Sequence, residues 1–287
     1  MTAIQIGLIQ MECEENVEIN LHRAETLVKE ASDKGANIVC LQELFYSKYF
    51  CQTEDHQKFE LSEPIPGPII QNLQKLANSL DIVLIAPVFE KRTEGIYHNS
   101  AAVIDADGSL VGIYRKMHIP DDPCFYEKFY FTPGDLGFQT FSTKYGKIGV
   151  LICWDQWFPE AARLCALSGA QILFYPTAIG FQEIDAEFAK KQHSAWETIQ
   201  RSHSIANGLF VASVNRIGQE DSINFWGQSF VSDPFGEIIA KADSKSGQVL
   251  LAECDFSKNE ETRQNWPFFR DRRVDSYSKI NKIYIDS

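Results

Sequence analysis

The sequence has 287 residues, of which 44% are hydrophobic and 23% are charged, as in ordinary globular proteins. A net charge of −12 argues against a nucleic-acid partner, since proteins that bind nucleic acids usually present a basic surface. No apolar run approaches the roughly 20 residues that cross a bilayer, so no membrane partner is expected.

The amino terminus gives no sign of a targeting segment. Met1–Gly7 lacks a basic stretch and leads directly into a predicted strand, so no signal peptide is expected. The seven cysteines are scattered, without a C-x-x-C pair or a compact disulfide framework. A cytoplasmic location with reduced thiols is therefore predicted.

The first predicted elements form a strand–helix–strand unit. A strand over Ile4–Gln10 precedes a helix that begins after Asn16 as N-cap and stops at Gly35. A second apolar strand, Asn37–Leu41, follows at once and ends before Gln42-Glu43. Such spacing favours a parallel pair of strands with a right-handed crossover.

The next region predicts a helix over Ile69–Leu80, a buried strand over Ile82–Phe89 and then a hairpin. Its strands are Ser100–Asp105 and Leu110–Lys116, and Ala106-Asp107-Gly108 supplies the turn. A long polar and aromatic loop is expected from 117 to 137.

The remaining pattern continues the alternation of strands and helices without a linker or a composition shift. One domain over residues 1–287 is therefore expected, of mixed α/β class and with two sheets. The predicted elements are a strand over Lys147–Ile152, a helix near Pro159–Ser168, a strand over Gln171–Tyr175, a helix over Ala186–Asn207, and strands over Leu209–Val214, Trp226–Ser232 and Gln248–Glu253.

Three residues with complementary chemistry lie at the carboxyl ends of predicted strands: Glu43, Lys116 and Cys153. Ligand sites of open α/β sheets collect at that edge. A carboxylate, an ammonium and a thiol brought together there can serve as general base, electrostatic stabiliser and nucleophile. Because Cys153 follows a strand and precedes a helix, its position is typical of a nucleophile on a sharp turn.

Plainer interpretations remain open for each residue taken alone. Cys153 can be a buried structural thiol, while Glu43 and Lys116 can be solvated charges. A cysteine–histidine mechanism is the chemical rival, with a base drawn from His118, His193 and His203. Zinc is not indicated, since no Cys and His pair has ligand-type spacing.

Several separated segments, in this order, resemble the nitrilase or carbon–nitrogen hydrolase superfamily from Ile4 to about Tyr277. The matching segments are Leu41-Gln42-Glu43, Tyr114-Arg115-Lys116-Met117-His118, Gly149-Val150-Leu151-Ile152-Cys153-Trp154-Asp155, Pro176-Thr177-Ala178, Ala206-Asn207-Gly208 and Asp233-Pro234-Phe235-Gly236-Glu237.

The resemblance implies a four-layer α-β-β-α sandwich and a catalytic Glu-Lys-Cys triad without metal or organic cofactor. In that family pattern Glu43 is the general base, Lys116 stabilises the tetrahedral intermediate and Cys153 attacks the substrate carbon. Glu127 matches a second glutamate that positions the substrate. The resemblance also implies a homo-oligomer, a dimer or a larger assembly of dimers, with a C-terminal extension from about residue 265 used in subunit contacts.

Further segments are similar to the branch of the superfamily that hydrolyses N-carbamoylputrescine to putrescine, carbon dioxide and ammonia. They are His118-Ile119-Pro120-Asp121, Glu127 to Asp135, Thr177-Ala178-Ile179-Gly180, Asn215-Arg216-Ile217-Gly218 and Phe268 to Arg273. The implied place in metabolism is polyamine biosynthesis from agmatine.

A charge argument also favours a cationic carbamoyl substrate. Relatives that act on carbamoyl amino acids carry arginines just after the nucleophile, and arginine holds carboxylates well. Here that stretch is Asp155-Gln156-Trp157, without arginine. Trp154, Phe125 or Tyr126 are expected along the methylene chain. The candidate partners of the ammonium, with Glu183 as the first choice, are Asp121, Asp122, Glu183, Asp185 and Glu187.

Two other functions stay open. One is hydrolysis of another small amide or carbamoyl compound, such as an ω-amide or an N-carbamoyl-β-amino acid. The other is a catalytically silent binding subunit, which the presence of Glu43, Lys116, Glu127 and Cys153 together disfavours.

Overall fold

The computed structural model describes residues 3–182 and 186–285, in which helices and strands alternate along most of the chain. The helices are α1 (Val17–Asp33), α2 (Pro68–Leu80), the short α3 (Glu127–Tyr130), α4 (Pro159–Leu167), α5 (Ala186–Asn207) and α6 (Ser257–Asn265). The strands are β1 (Ile4–Gln10), β2 (Ile38–Leu41), β3 (Val83–Thr93), β4 (Ile96–Ile104), β5 (Leu110–Arg115), β6 (Thr140–Thr143), β7 (Gly146–Val150), β8 (Ile172–Thr177), β9 (Gly180–Phe181), β10 (Phe210–Asn215), β11 (Ile217–Glu220), β12 (Ile223–Trp226), β13 (Phe230–Ser232), β14 (Ile238–Lys241) and β15 (Gln248–Cys254).

The described strands form two six-stranded sheets and one small sheet. The first sheet has the order β15-β1-β2-β3-β4-β5, and the second has the order β14-β13-β10-β8-β7-β6. In the first, β1, β2 and β3 are parallel, as the strand–helix–strand pattern predicts. In the second, β7, β8 and β10 are parallel. The small sheet has the order β11-β12-β9.

Alternation of side chains along β2 shows how the layers stack. Ile38 and Cys40 pack into a core shared with the second sheet, where they join residues such as Ile148 and Phe174. Their neighbours on β2 point to the opposite face, which helices α1 and α2 cover. Since α4 and α5 pack against the second sheet, the layer order is helix, sheet, sheet, helix. The predicted four-layer α-β-β-α sandwich is confirmed.

Local signals set the first helix. The Asn16 side chain accepts hydrogen bonds from the backbone N–H groups of Glu18 and Ile19, as an N-cap residue does. At the other end Gly35 adopts a φ of 92°, a left-handed conformation that glycine tolerates without steric cost. The link from α1 to β2 is therefore short, and Glu43 comes two residues after the end of β2.

The predicted single strand over Trp226–Ser232 is wrong. Gly227 and Gln228 both have left-handed backbones, with φ of 61° and 53°. Two such residues in succession redirect the chain, because a continuous strand needs extended conformations throughout. β12 therefore ends in the small sheet, and β13 begins in the second large sheet.

The long loop from 117 to 137 is also more ordered than the sequence indicates, since it contains α3. No helix within the described residues has both the length and the apolar character needed to cross a bilayer.

Candidate active site

The ends of strands from both sheets bring the predicted residues together. β5 runs antiparallel to β4, and β4 runs antiparallel to β3, so β5 points the same way as β2. Glu43 and Lys116, which follow β2 and β5, therefore lie at one edge of the first sheet. Cys153 follows β7 of the second sheet and begins a short 3-10 helix, Cys153–Trp157.

Lys116 bridges two carboxylates in a buried ionic cluster. Its Nζ atom donates hydrogen bonds to Glu43 Oε1 at 2.8 Å and to Glu127 Oε2 at 2.6 Å. All three side chains are fully buried. Burial lowers the pKa of Lys116, but the charges of Glu127 and Glu43 outweigh it and hold that pKa well above its usual value. Lys116 is therefore a fixed cation.

Two neutral side chains donate further hydrogen bonds to these carboxylates. Asn99 Nδ2 donates to Glu43 Oε1 at 2.7 Å, and the Tyr49 hydroxyl donates to Glu127 Oε1 at 2.7 Å. Glu43 Oε2 is buried and has no hydrogen-bond partner among the described residues. An unsatisfied carboxylate oxygen in a buried site is costly, which makes this atom a ready proton acceptor.

The Cys153 thiol is buried beside this cluster. Burial raises its pKa well above the usual range, the Glu43 charge raises it further, and Lys116 partly opposes the shift. The resting group is therefore a thiol, and it needs a base when it attacks. Its backbone has a φ of 43°, an uncommon conformation for a residue other than glycine and typical of a nucleophile on a sharp turn.

Asp155 connects the turn that carries Cys153 to the strand that carries Lys116. Its Oδ2 atom accepts hydrogen bonds from the Ile152 N–H at 2.9 Å and the Tyr114 hydroxyl at 2.7 Å. Its Oδ1 atom lies 3.0 Å from the His118 backbone nitrogen and 2.7 Å from His118 Nδ1. The carboxylate thereby fixes the spacing of the two sheet ends.

We expect the change Asp155→Asn to lower the free energy of unfolding by about 2 kcal/mol, because one buried donor then faces an amide NH2 group. Urea denaturation checks this result. Asp105→Asn is the control, since Asp105 is only half-buried and accepts bonds from the Ala106 and Lys144 backbones. Equal losses in the two variants would contradict the linking role of Asp155.

The ionisation of Glu127 leads to a pH-dependent stability. Burial raises its pKa from 4.5 to about 7, even though the Lys116 ammonium lowers it. Between these values the folded carboxyl holds a proton that the unfolded one has lost, so this stabilisation is present at low pH and disappears as the pH rises through about 7.

We therefore compare the unfolding free energies of the wild type and Glu127→Gln across this range by urea denaturation. The unfolding free energy of the wild type minus that of Glu127→Gln is expected to fall by up to about 1.4 kcal/mol per pH unit as the pH rises from 4.5 to about 7. A difference that stays constant or grows would show that Glu127 ionises normally in the folded protein.

A cavity of about 640 Å³ opens onto Cys153. Its described lining is largely apolar and aromatic, and it includes Trp154 and, at the exposed mouth, Asp122. Phe125 lines the cavity, whereas Tyr126 is not among the described lining residues. Glu183 and Asp185 lie outside the described residues, and Asp121 and Glu187 are not among the described lining residues. Of the candidate substrate-binding residues, the structure thus brings Trp154, Phe125 and Asp122 to the same cavity as Cys153.

The histidines of the rival mechanism do not line this cavity in the described part of the chain. His118 bonds to Asp155 and stacks on Phe158, with ring centroids 3.6 Å apart. His203 Nε2 lies 2.8 Å from the Gln156 carbonyl oxygen, and His193 packs against Trp196 and Trp226. These contacts are structural, and none of them favours a cysteine–histidine pair.

No group of three or more His, Cys, Asp and Glu side chains within residues 3–182 and 186–285 is arranged to hold a metal ion.

Sequence reasoning missed several residues that shape the site: Tyr49, Asn99, Asp155 and Arg216. Asn99 pairs with the strand of Lys116, whose backbone N–H donates to the Asn99 carbonyl at 2.9 Å. The sequence signals for Arg216 are its place directly after an apolar strand, where Glu43, Lys116 and Cys153 also lie, and its presence in a matching segment, Asn215-Arg216-Ile217-Gly218.

Comparison with known proteins decides the family. The sequence profile described as "Carbon-nitrogen hydrolase" matches residues 5–264. The chain belongs to the carbon–nitrogen hydrolase family. The resemblance noted from the strand-end motifs is thereby confirmed, and the chain is an amidohydrolase by family.

Relatives and solved structures of this hydrolase family match over nearly the whole chain. An N-carbamoylputrescine amidase of Arabidopsis thaliana is 47% identical over 96% of this chain and 95% of its own. A citrullinase of Francisella tularensis is 42% identical over 99% of this chain and 100% of its own. The crystal structure of a carbon–nitrogen hydrolase from Helicobacter pylori G27 has a TM-score of 0.96 at 48% identity, covering 99% of this chain and 100% of that one.

Proposed function

We propose that this carbon–nitrogen hydrolase converts N-carbamoylputrescine to putrescine, carbon dioxide and ammonia, a step of polyamine biosynthesis from agmatine. The observation that carries the proposal is the cavity at Cys153, which combines an apolar and aromatic wall with Asp122 at its mouth. Such a cavity suits a methylene chain that ends in an ammonium group. The near full-length similarity to the Arabidopsis amidase supports the same substrate.

In the proposed first step Cys153 Sγ attacks the carbamoyl carbon while its proton moves to Glu43 Oε2, the carboxylate oxygen without a partner. The carbonyl oxygen becomes an oxyanion. The Lys116 ammonium and the Trp154 N–H, in the first turn of the 3-10 helix, stabilise it. The proton on Glu43 then passes to the leaving nitrogen, and the carbamoyl carbon stays on Cys153 with its second nitrogen, as a thiocarbamate, the thioester of a carbamic acid.

In the second step a water molecule hydrolyses the thioester to a carbamic acid, which breaks its remaining C–N bond and releases carbon dioxide, so that putrescine and ammonia are the two nitrogen products. Glu43 takes a proton from the water as it attacks, and the Cys153 sulfur leaves and recovers that proton. Glu127 touches Lys116 directly, and we propose that it orients both this cation and the substrate. These steps use only water, side chains of this protein and the Trp154 backbone N–H.

Citrulline is the rival substrate suggested by the similarity to the Francisella citrullinase. It carries the same ureido group and an ammonium group at the far end, but its tail adds a carboxylate beside that ammonium. A buried carboxylate needs a paired cation or several donors. No arginine or lysine is among the described lining residues of the cavity, so the diamine substrate is favoured. Other small substrates, such as ω-amides and N-carbamoyl-β-amino acids, lack an ammonium group at the end of the chain.

The test is the ratio of kcat/KM values for N-carbamoylputrescine and citrulline, which we expect to exceed about 100. Asp122→Asn is expected to lower kcat/KM for N-carbamoylputrescine about fivefold, the equivalent of about 1 kcal/mol. Asp121→Asn is the matched control, because Asp121 is exposed but is not among the described lining residues. Equal or better turnover of citrulline would overturn the substrate assignment.

We further propose that the enzyme is a homo-oligomer, a dimer or an assembly of dimers, in which the extension from about residue 265 makes subunit contacts. Support comes from apolar side chains that this extension leaves exposed, including Trp266, Val274, Ile280 and Tyr284. A cytoplasmic location is proposed as well, supported by the seven cysteines, which are all free thiols.

A further inference from the structure

A fully buried arginine lies behind the general base. Arg216 follows β10, and its Nη2 atom donates hydrogen bonds to the carbonyl oxygens of Glu43 at 3.0 Å and Leu44 at 2.9 Å. Its Nη1 atom donates to the Ser47 carbonyl oxygen at 2.9 Å. One guanidinium group therefore binds three carbonyl groups of the segment that begins with Glu43.

Glu220, at the end of β11, completes this arrangement. Its Oε1 and Oε2 atoms accept hydrogen bonds from Arg216 Nη1 at 2.8 Å and 2.9 Å. Oε2 also accepts one from the Tyr49 backbone N–H at 2.6 Å. The Tyr49 side chain in turn donates to Glu127. The ion pair of Arg216 and Glu220 thus holds both ends of residues 43–49.

The two ends of residues 43–49 affect both carboxylates around Lys116. Glu43, at one end, is itself one of these carboxylates. Tyr49, at the other end, donates a hydrogen bond to the second one, Glu127. Between them Leu44 has a φ of 49°, a conformation that persists only where the surroundings hold it in place. The hydrogen bonds of Arg216 to the carbonyl oxygens of Glu43 and Leu44, one on each side of the Leu44 Cα atom, supply that restraint.

The geometry points to the Arg216–Glu220 pair as a positioning device that sets the placement of Glu43 and Glu127 around Lys116. This inference rests on the proposed roles of Glu43 and Cys153. A buried ion pair alone is weak evidence for a functional role, because such pairs often contribute no net stability. Here the contacts of the guanidinium group with the backbone of the general base give the pair a specific consequence for proton transfer.

Two substitutions test this role, R216K and E220Q. A lysine keeps the positive charge, but its single ammonium cannot reproduce the planar fork that reaches both Glu43 and Ser47. The glutamine of E220Q keeps one acceptor and loses the charge. R263K is the matched control, because the half-buried Arg263 also donates to a backbone carbonyl, that of Asn207 at 3.0 Å, outside the site.

We expect kcat per folded enzyme to fall about 100-fold in R216K and about tenfold in E220Q, with KM changed less than about threefold. The folded fraction comes from circular dichroism and urea denaturation. The rate at which iodoacetamide alkylates Cys153, measured by peptide mass spectrometry, should fall in parallel, since that reaction also needs Glu43 as base. R263K should match the wild type in both measurements.

A folded R216K or E220Q with wild-type kcat and wild-type alkylation of Cys153 would overturn the positioning role. A loss of activity that only follows the loss of folded protein would overturn it too. The substrate is tested separately. If the wild type fails to hydrolyse N-carbamoylputrescine, the proposed substrate is wrong, while the alkylation rates of the variants relative to the wild type still decide the role of Arg216.

Discussion

Replacing Cys153 with alanine is expected to lower kcat for N-carbamoylputrescine by at least about 10⁴-fold, because no other group can form the thioester. The free energy of unfolding should change little, since within the described residues the removed sulfur makes one weak hydrogen bond, at 3.9 Å to the Ala178 carbonyl oxygen. Putrescine release and urea denaturation measure the two effects.

Cys165→Ala is the control for this change. Cys165 is likewise buried, and burial raises its pKa to about 12, but it does not line the cavity. This variant should keep the wild-type kcat. If hydrolysis survives in Cys153→Ala, the proposed mechanism is wrong, and the catalytically silent subunit considered for this sequence is excluded as well.

Replacing Glu43 with glutamine is expected to lower kcat by about 10² to 10⁴-fold, the range that general acid–base catalysis contributes. Glutamine has nearly the same shape, and its carbonyl oxygen can still accept from Asn99 and Lys116. Its amide nitrogen replaces Oε2 and cannot take the thiol proton. KM should therefore change much less than kcat, as steady-state kinetics with N-carbamoylputrescine will show.

Glu63→Gln serves as the control for the loss of a buried carboxylate. Glu63 accepts hydrogen bonds from the Ile69 and Ile70 N–H groups at the start of α2, away from Cys153. This variant is expected to lose stability but retain kcat. A Glu43→Gln enzyme with wild-type kcat would exclude Glu43 as the base.

The sequence predicts that Glu43, Lys116 and Cys153 lie close together, because each of them follows an apolar strand. Parallel strands share one edge for their carboxyl ends, so Glu43 and Lys116 meet once the strand order is formed. The helix over Ala186–Asn207 is predicted with the bounds observed for α5, since its apolar periodicity and length are unambiguous. Elements of this kind depend on local patterns.

Residues that support the triad could not be predicted in the same way. Arg216 and Glu43 are 173 positions apart, and their contact depends on how β10 of one sheet meets the end of β2 in the other. Likewise Asp155 and Tyr114 become partners only when the two sheets stack. Such contacts depend on tertiary packing, which hydrophobic periodicity does not encode.

The substrate end of the site is the least predictable from sequence, because irregular loops form it. Between Asp122 and Phe125 the chain forms a tight turn, in which Cys124 has a left-handed φ of 63°. In that turn Phe125 rather than Tyr126 is brought to the described wall of the cavity. Turns of this kind depend on individual dihedral angles rather than on a repeating pattern.

The crystal structure of Cys153→Ala with bound N-carbamoylputrescine would test the account most directly. We expect the carbamoyl carbon to lie about 3 to 3.5 Å from the place of the missing sulfur. Its oxygen should face Lys116 Nζ and the Trp154 N–H, and the ammonium group should lie toward Asp122. A substrate bound in the opposite direction, with its ammonium beside Lys116, would contradict both the mechanism and the substrate assignment.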